Sequence, residues 1–253
     1  RNIARMCVLL AGLPLSIGGV TVNRLCGSGM QAYLDAVRAI RNGDGDCYLA
    51  GGVESMTRAP FVMAKAAEQF SRKVEVFDTT IGWRFTNPAL AKLHHPYSMG
   101  ETAENVAEKY KITRERQDEF SFKSQMKAKA AIETGKFNNE ILPVEIKSKK
   151  DVVIFNTDEF PRFDTTIEKL AKLKPAFREG GTVTAGNSSG VNDGASLLLI
   201  CSEDFVKKHN LKPRARFVSG AVAGVDPACM GIGPVPATVK ALSRANLKTD
   251  DLD

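Results

Sequence analysis

Two glycines, Gly18 and Gly19, precede the β-branched run Val20-Thr21-Val22, so a strand is expected there, ending at Cys26. Beyond it Met30, Tyr33, Leu34, Val37 and Ile40 recur at three- and four-residue intervals. That stripe predicts an amphipathic helix, which Asn42-Gly43-Asp44-Gly45 stops. A second strand, Tyr48 to Ala50, follows and runs into Gly51-Gly52. A strand, a helix and a strand in succession predict a parallel pair joined by a crossover helix.

From Met56 to about Gly190 the pattern changes to short apolar helices among charged residues, with irregular stretches at 71–97 and 136–165. Ser98-Met99-Gly100-Glu101 has capping-box spacing, and Ala103, Val106, Ala107 and Tyr110 then mark the expected helix face. Another helix follows Thr113 and stops near Gly135. The α/β pattern returns at Asn192, with an apolar strand from Ala195 to Cys201 and Ser202 placed to cap a helix running through Lys208. After Pro213 a strand is expected over Ala215 to Ser219, and GIGPVPATVKAL starts a helix with prolines in its first turn. No closing strand follows, so the chain reads as truncated. At its other end RNIARMCVLLAGLPLSIGGV reads as a short amphipathic helix rather than a signal peptide, because Gly12 and Pro14 break the apolar core.

Composition narrows the class. A chain of 253 residues, 43% hydrophobic and 25% charged, can bury a core without disulfides or structural metal. Its net charge of +6 is spread along the chain, which suits an anionic small molecule and, without a reader motif, argues against nucleic acid. No segment approaches the ~20 apolar residues of a membrane span. Cys7, Cys26, Cys47, Cys201 and Cys229 are an odd set without a CxxC pair, which speaks against zinc and a disulfide framework and for a reducing compartment. The cytoplasm fits best, with mitochondrion or peroxisome as eukaryotic alternatives.

One of those cysteines sits in NRLCGSGMQA, at the expected passage from strand to helix. N–H groups at a helix start favour a thiolate, and Gly27 and Gly29 let a substrate carbonyl approach the backbone. A nucleophile and a packed core cysteine are both compatible with the residues alone.

NRLCGSGMQA resembles the block around the acylated cysteine of thiolases, the acyl-CoA acetyltransferases. AGGVESMTRAP, SMGETAENVA, GTVTAGNSSGVNDGAS and GVDPACMGIGPVPA resemble further blocks of that family, in its order and across essentially the whole chain. FDTTIGWRFTNP is similar to the subgroup that cleaves β-ketoadipyl-CoA. The resemblance implies an α/β thiolase-type fold of layered helices and mixed sheets (αβαβα). Residues 1–55 would form an N-terminal half-domain carrying the nucleophile and 56–191 an inserted CoA-binding loop domain. Residues 192–212 would return to the first half-domain and 213–253 begin an incomplete second one.

It also implies reversible transfer of an acetyl or acyl group between CoA thioesters through a thioester on Cys26, whose own N–H would serve one oxyanion hole. Met99, Ala185 and Ser189 match positions along the pantetheine, and Arg162 and Phe177 match positions flanking the adenine. CoA and acetyl-CoA enter as substrates; no permanently bound cofactor and no metal are expected. The implied partners are CoA thioesters and further copies of the chain, as a dimer or tetramer, with neither nucleic acid nor membrane. The family's NEAF-, GHP- and CxG-type blocks do not occur in these residues, so the chain alone is expected to be inactive. His94, His95 and His209 are read as solvated or structural, and Asn192 and Asp193 as holding a loop. Two alternatives remain: a non-catalytic acyl-CoA- or lipid-binding relative, and a condensing enzyme charged by a carrier protein.

Overall fold

Polar side chains at helix starts delimit the elements of this protein, seen in a computed structural model whose described residues are 2–148 and 151–253. Asn2, Asn87, Ser98, Thr113, Thr166 and Ser202 each accept a backbone N–H from the turn that follows. Each thereby satisfies a donor that has no partner inside its helix. The helices are α1 (Ile3–Leu10), α2 (Ser28–Asn42), α3 (Pro88–Leu93), α4 (Met99–Lys109), α5 (Arg114–Glu133), α6 (Ile167–Ala171), α7 (Glu203–Lys208) and α8 (Pro234–Ala245). The strands are β1 (Cys47–Glu54), β2 (Phe61–Met63), β3 (Val76–Asp78), β4 (Val144–Lys147), β5 (Val152–Phe155) and β6 (Gly194–Cys201). They divide between two units: Arg1–Ala59 with Asn192–Val222 and Ala237–Asp253, and Pro60–Val191 with Ala223–Pro236.

In the first unit β1 pairs with β6 along all eight residues, from Cys47 opposite Cys201 to Glu54 opposite Gly194. The pairing is antiparallel, and the expected parallel pair of Val20–Val22 with Tyr48–Ala50 does not form, since the first of the two is not a strand. Val20-Thr21-Val22 forms no strand; α1 instead binds the Thr21 side chain and the residues that lead up to this stretch. The Asn2 amide donates to the Gly19 carbonyl at 2.5 Å, Thr21 Oγ1 accepts the Ile3 N–H at 3.2 Å, and Arg5 donates to the Leu15 carbonyl at 3.0 Å and to that of Ile17. Helix α2 packs on β1, burying Leu34, Ala36, Val37 and Ala50. The expected strand over Ala215 to Ser219 is likewise irregular, having no ladder partner among the described residues. Side chains hold it instead. Phe217 packs edge-on to Tyr33 at 5.6 Å and under the Arg41 guanidinium at 5.0 Å, and Ser219 Oγ donates to the Ala241 carbonyl at 2.6 Å.

In the second unit the stretches expected to be irregular contain β3, α3 and the small antiparallel ladder of β4 with β5, while β2, the antiparallel partner of β3, lies before the first of them. Their runs of three or four residues are too short to show a period. Helix α4 starts on a complete capping box, with Ser98 and Glu101 exchanging side-chain and backbone bonds. Its buried positions are Gly100, Thr102, Glu104 and Ala107, while Ala103 and Tyr110 lie exposed. The helix is thus turned from the expected apolar face, because Glu104 has strong partners inside the unit. No helix among the described residues is long and apolar enough to cross a membrane.

Candidate active site

The Cys26 turn is built almost entirely from its own neighbours. Leu25, just before the cysteine, sits at φ 48°, a left-handed conformation that costs a non-glycine residue about 1 kcal/mol or more. Local hydrogen bonds hold it there: Asn23 Oδ1 accepts the Leu25 N–H at 2.8 Å, and Ser28 Oγ accepts the Arg24 N–H at 2.9 Å while donating to the Leu25 carbonyl at 2.6 Å. The N–H groups of Gly27 and Ser28 turn back onto the Arg24 and Leu25 carbonyls, both at 3.0 Å. Of the N–H groups expected to point at the sulfur, those of Gly27 and Ser28 are thus taken up by the turn itself. What remains is a tight, strained turn that leaves Cys26 exposed at the mouth of α2.

The remaining proposed site residues lie in the second unit. Met99 opens α4 and is exposed. At the next position, a Cβ on Gly100 would lie 2.1 Å from Phe177 Cγ, so the Phe177 ring occupies the space that only glycine leaves. Phe177 therefore packs against Gly100, the residue that follows Met99 in the chain. Arg178, next in the chain, donates to Asn105 Oδ1 at 2.5 Å. Ala185 and Ser189 are exposed positions on a loop whose buried side is clamped to α4 and α5. Arg162 is held elsewhere in the unit: its N–H donates to Gln125 Oε1 of α5 at 2.8 Å, and its side chain is exposed.

The clamp is what sequence reasoning missed. Glu104 is only 4% exposed, and its carboxylate accepts the N–H groups of Thr182 and Val183 at 2.8–2.9 Å and the Thr182 hydroxyl at 3.0 Å. On α5 the carboxylate of Asp118 takes Arg114 Nε at 2.8 Å and Asn187 Nδ2 at 3.0 Å. The N–H of Thr184, fully buried, donates to Asn187 Oδ1 at 2.7 Å. A buried carboxylate bonded to successive backbone N–H groups fixes loop shape as well as loop position. One signal was available: Gly100, Glu104 and Ala107 are spaced four and three apart, a helix stripe with an acid in the middle.

Electrostatics around these elements is mild. Backbone and hydroxyl hydrogen bonds from Ser98 hold the Glu101 carboxyl below the usual carboxylate range. The Thr57 N–H, 2.8 Å from Asp193 Oδ1, does the same for Asp193 and ties the end of one loop to the start of β6. His95 packs edge-on to Tyr97 at 4.5 Å and His209 lies 4.2 Å from Phe205, both contacts of packing. Among the described residues no group of three or more His, Cys, Asp or Glu is placed to hold a metal ion.

Comparison with known proteins gives matches along the whole chain. Residues 1–204 match the family model "Thiolase, N-terminal domain", and residues 211–253 match "Thiolase, C-terminal domain". The chain is 57% identical over 254 residues to the 3-oxoadipyl-CoA/3-oxo-5,6-dehydrosuberyl-CoA thiolase of Escherichia coli K12. It is 54% identical over 253 residues to a β-ketoadipyl-CoA thiolase of Pseudomonas knackmussii. Both alignments take in 100% of this chain and 63% of the relative. Among solved structures, the acetyl-CoA acetyltransferase of Bacillus anthracis superposes with a TM-score of 0.88 at 44% identity, covering 100% of this chain and 63% of that one. Human mitochondrial 3-ketoacyl-CoA thiolase gives 0.85 at 42% identity, covering 99% and 62%. The chain thus spans a little under two thirds of the length of the relatives it matches.

Proposed function

From the premise that this chain belongs to the thiolase family and has its fold, we propose that the protein carrying it transfers acyl groups between CoA thioesters through Cys26. The observation that carries the reading is the strained Leu25 turn, which holds an exposed thiol at the start of α2. In the proposed cleavage the Cys26 thiolate attacks the 3-oxo carbonyl, the bond between C2 and C3 breaks, and acetyl-CoA leaves as its carbanion and takes up a proton. The thiol of a second CoA then takes the shortened acyl group from Cys26 and gives up its proton. In the reverse, synthetic sense the thiolate attacks the thioester carbonyl of an acyl-CoA, CoA leaves and is protonated to its thiol, and the carbanion of acetyl-CoA takes the acyl group. One difficult transfer becomes two easier ones either way. The Cys26 N–H, on the turn itself, is the proposed donor to the oxyanion that develops beside it.

CoA is proposed to lie along the second unit, with Met99, Ala185 and Ser189 at the pantetheine and Arg162 and Phe177 at the adenine. The packing of Phe177 against Gly100, at the start of the helix that Met99 opens, supports placing Phe177 beside that block. A 3-oxo dicarboxylic acyl chain such as β-ketoadipyl is the proposed substrate class. The names of the relatives support it, as does FDTTIGWRFTNP, whose Trp83 Nε1 donates to the Tyr97 carbonyl at 2.9 Å, two residues before Met99. A homodimer or homotetramer in the cytoplasm completes the proposal. A pure carrier is disfavoured by a strained nucleophile turn, and a carrier-protein-charged condensing enzyme by the names of the relatives. Incubating the whole protein with acetyl-CoA should add one acetyl group to the Cys26 peptide, removable by hydroxylamine. Acetylation of a different cysteine, or of none, would defeat the assignment.

A further inference from the structure

Cys47 and Cys201 take no part in the chemistry above, yet they face each other at one end of the β1–β6 ladder with their sulfurs 3.8 Å apart. The next pair out, Asp46 and Ser202, is joined by a Ser202 N–H to Asp46 carbonyl bond at 2.8 Å, which makes Cys47 and Cys201 a non-hydrogen-bonded pair. In such pairs the Cα atoms lie about 4.5 Å apart and the side chains share one face, which falls inside the Cα range a disulfide tolerates. Ser202 Oγ adds a bond to Asp46 Oδ1 at 2.8 Å and fixes the strand ends beside the two thiols. Cys47 is exposed and Cys201 half-buried, so an oxidant of small size has access from the Cys47 side.

We propose that Cys47 and Cys201 form an oxidisable dithiol, a modification site for peroxides that is separate from Cys26 and closes into a disulfide across β1 and β6. In the first step a thiolate of the pair attacks one peroxide oxygen. The O–O bond breaks, a sulfenic acid forms, and the departing hydroxide takes up a proton as water. The second thiol attacks the sulfenic sulfur and loses its proton, the S–O bond breaks and a second water leaves. Two electrons pass from the dithiol to the peroxide, and the net products are one disulfide and two waters. Partial burial and the neighbouring Cys201 sulfur push the Cys47 thiol upward, so closure should quicken as pH rises above neutral.

The test is to expose the whole protein to hydrogen peroxide at a few equivalents, block free thiols with iodoacetamide, and digest it with pepsin in acid so that disulfides cannot exchange. The expected product is a peptide pair joined through Cys47 and Cys201, two hydrogens lighter than the sum of its parts and released by dithiothreitol. Cys26→Ser should form the same link to the same extent. Cys201→Ser should stop at a Cys47 sulfenic acid that dimedone captures; should that variant fail to fold, the unmodified protein's peptide map decides alone. Recovery of both peptides alkylated, a link from either cysteine to a third, or oxidation beyond the sulfenic stage without a link would each overturn the proposal.

Discussion

Gly100 is the residue at which a single methyl group tests the proposed nucleotide site. A Cβ there would sit 2.1 Å from the Phe177 ring, so Gly100→Ala must displace that ring. With Phe177 beside the adenine, the variant is expected to raise KM for CoA severalfold, a loss of about 1 kcal/mol of aromatic contact, and to leave kcat near its original value. Steady-state thiolysis with CoA varied would show it, and an unchanged KM would remove Phe177 from the site. The sequence made Gly100 visible only as part of a block. Its reason for being glycine lies 77 residues away in Phe177, beyond the reach of any local pattern. Leu25 is the opposite case, since its left-handed turn is enforced by Asn23 and Ser28, residues within the quoted stretch itself.

Elements were legible where their determinants are local and hidden where they are not. The α4 start could be read from four residues, and so could the stop of α2 at Gly43, φ 82°. Val20-Thr21-Val22 and Ala215 to Ser219 have strand composition, but a strand exists only with a ladder partner. In one stretch the Thr21 hydroxyl is bound by α1, and in the other Phe217 packs on Tyr33 of α2 while Ser219 Oγ donates to the Ala241 carbonyl of α8. Glu104 shows the same limit within α4, as an acid on a helix whose partners lie 78 and 79 residues further on. Glu104→Gln replaces a charged acceptor facing backbone donors with an amide that satisfies fewer of them. It is expected to lower stability by about 2 kcal/mol, seen as a lower Tm, and to raise KM for CoA through loosening of the Ala185–Ser189 loop. A variant as stable as the parent would mean that the clamp contributes little. The capping box gives a pH signature of the opposite kind. Because the Glu101 carboxyl is held below its ordinary range, its contribution is complete above the unfolded carboxylate pKa, near ~4.3, and fades as pH falls through the lowered folded value. Acid unfolding followed by circular dichroism should therefore shift to lower pH in the parent than in Glu101→Gln, whose acid limb lacks that contribution.

On the scale of the whole molecule, the ordered blocks made the family legible, while the way its parts are supported was not. Cys26 belongs to the first unit and Met99, Phe177, Ala185, Ser189 and Arg162 to the second, so the proposed reaction separates into a bond-making part and a ligand-holding part on different units. That separation predicts kinetics that split by unit. In the whole protein Arg162→Ala should raise KM for CoA roughly fivefold, the equivalent of about 1 kcal/mol for an exposed cation stacked on a base, with kcat hardly changed. The adenine is remote from the carbonyl under attack, so an interaction lost there is lost equally in the ground state and the transition state. Arg162 also has the right fixture for such a role, since its backbone is anchored to Gln125 while its side chain stays free of the core. Cys26→Ala should behave inversely, abolishing acyl transfer and leaving the dissociation constant for CoA, measured by calorimetry, within about twofold of the parent. A collapse of kcat at saturating CoA in Arg162→Ala would place that side chain in the bond-making part. A large loss of CoA affinity in Cys26→Ala would show that the two units do not divide the work in this way.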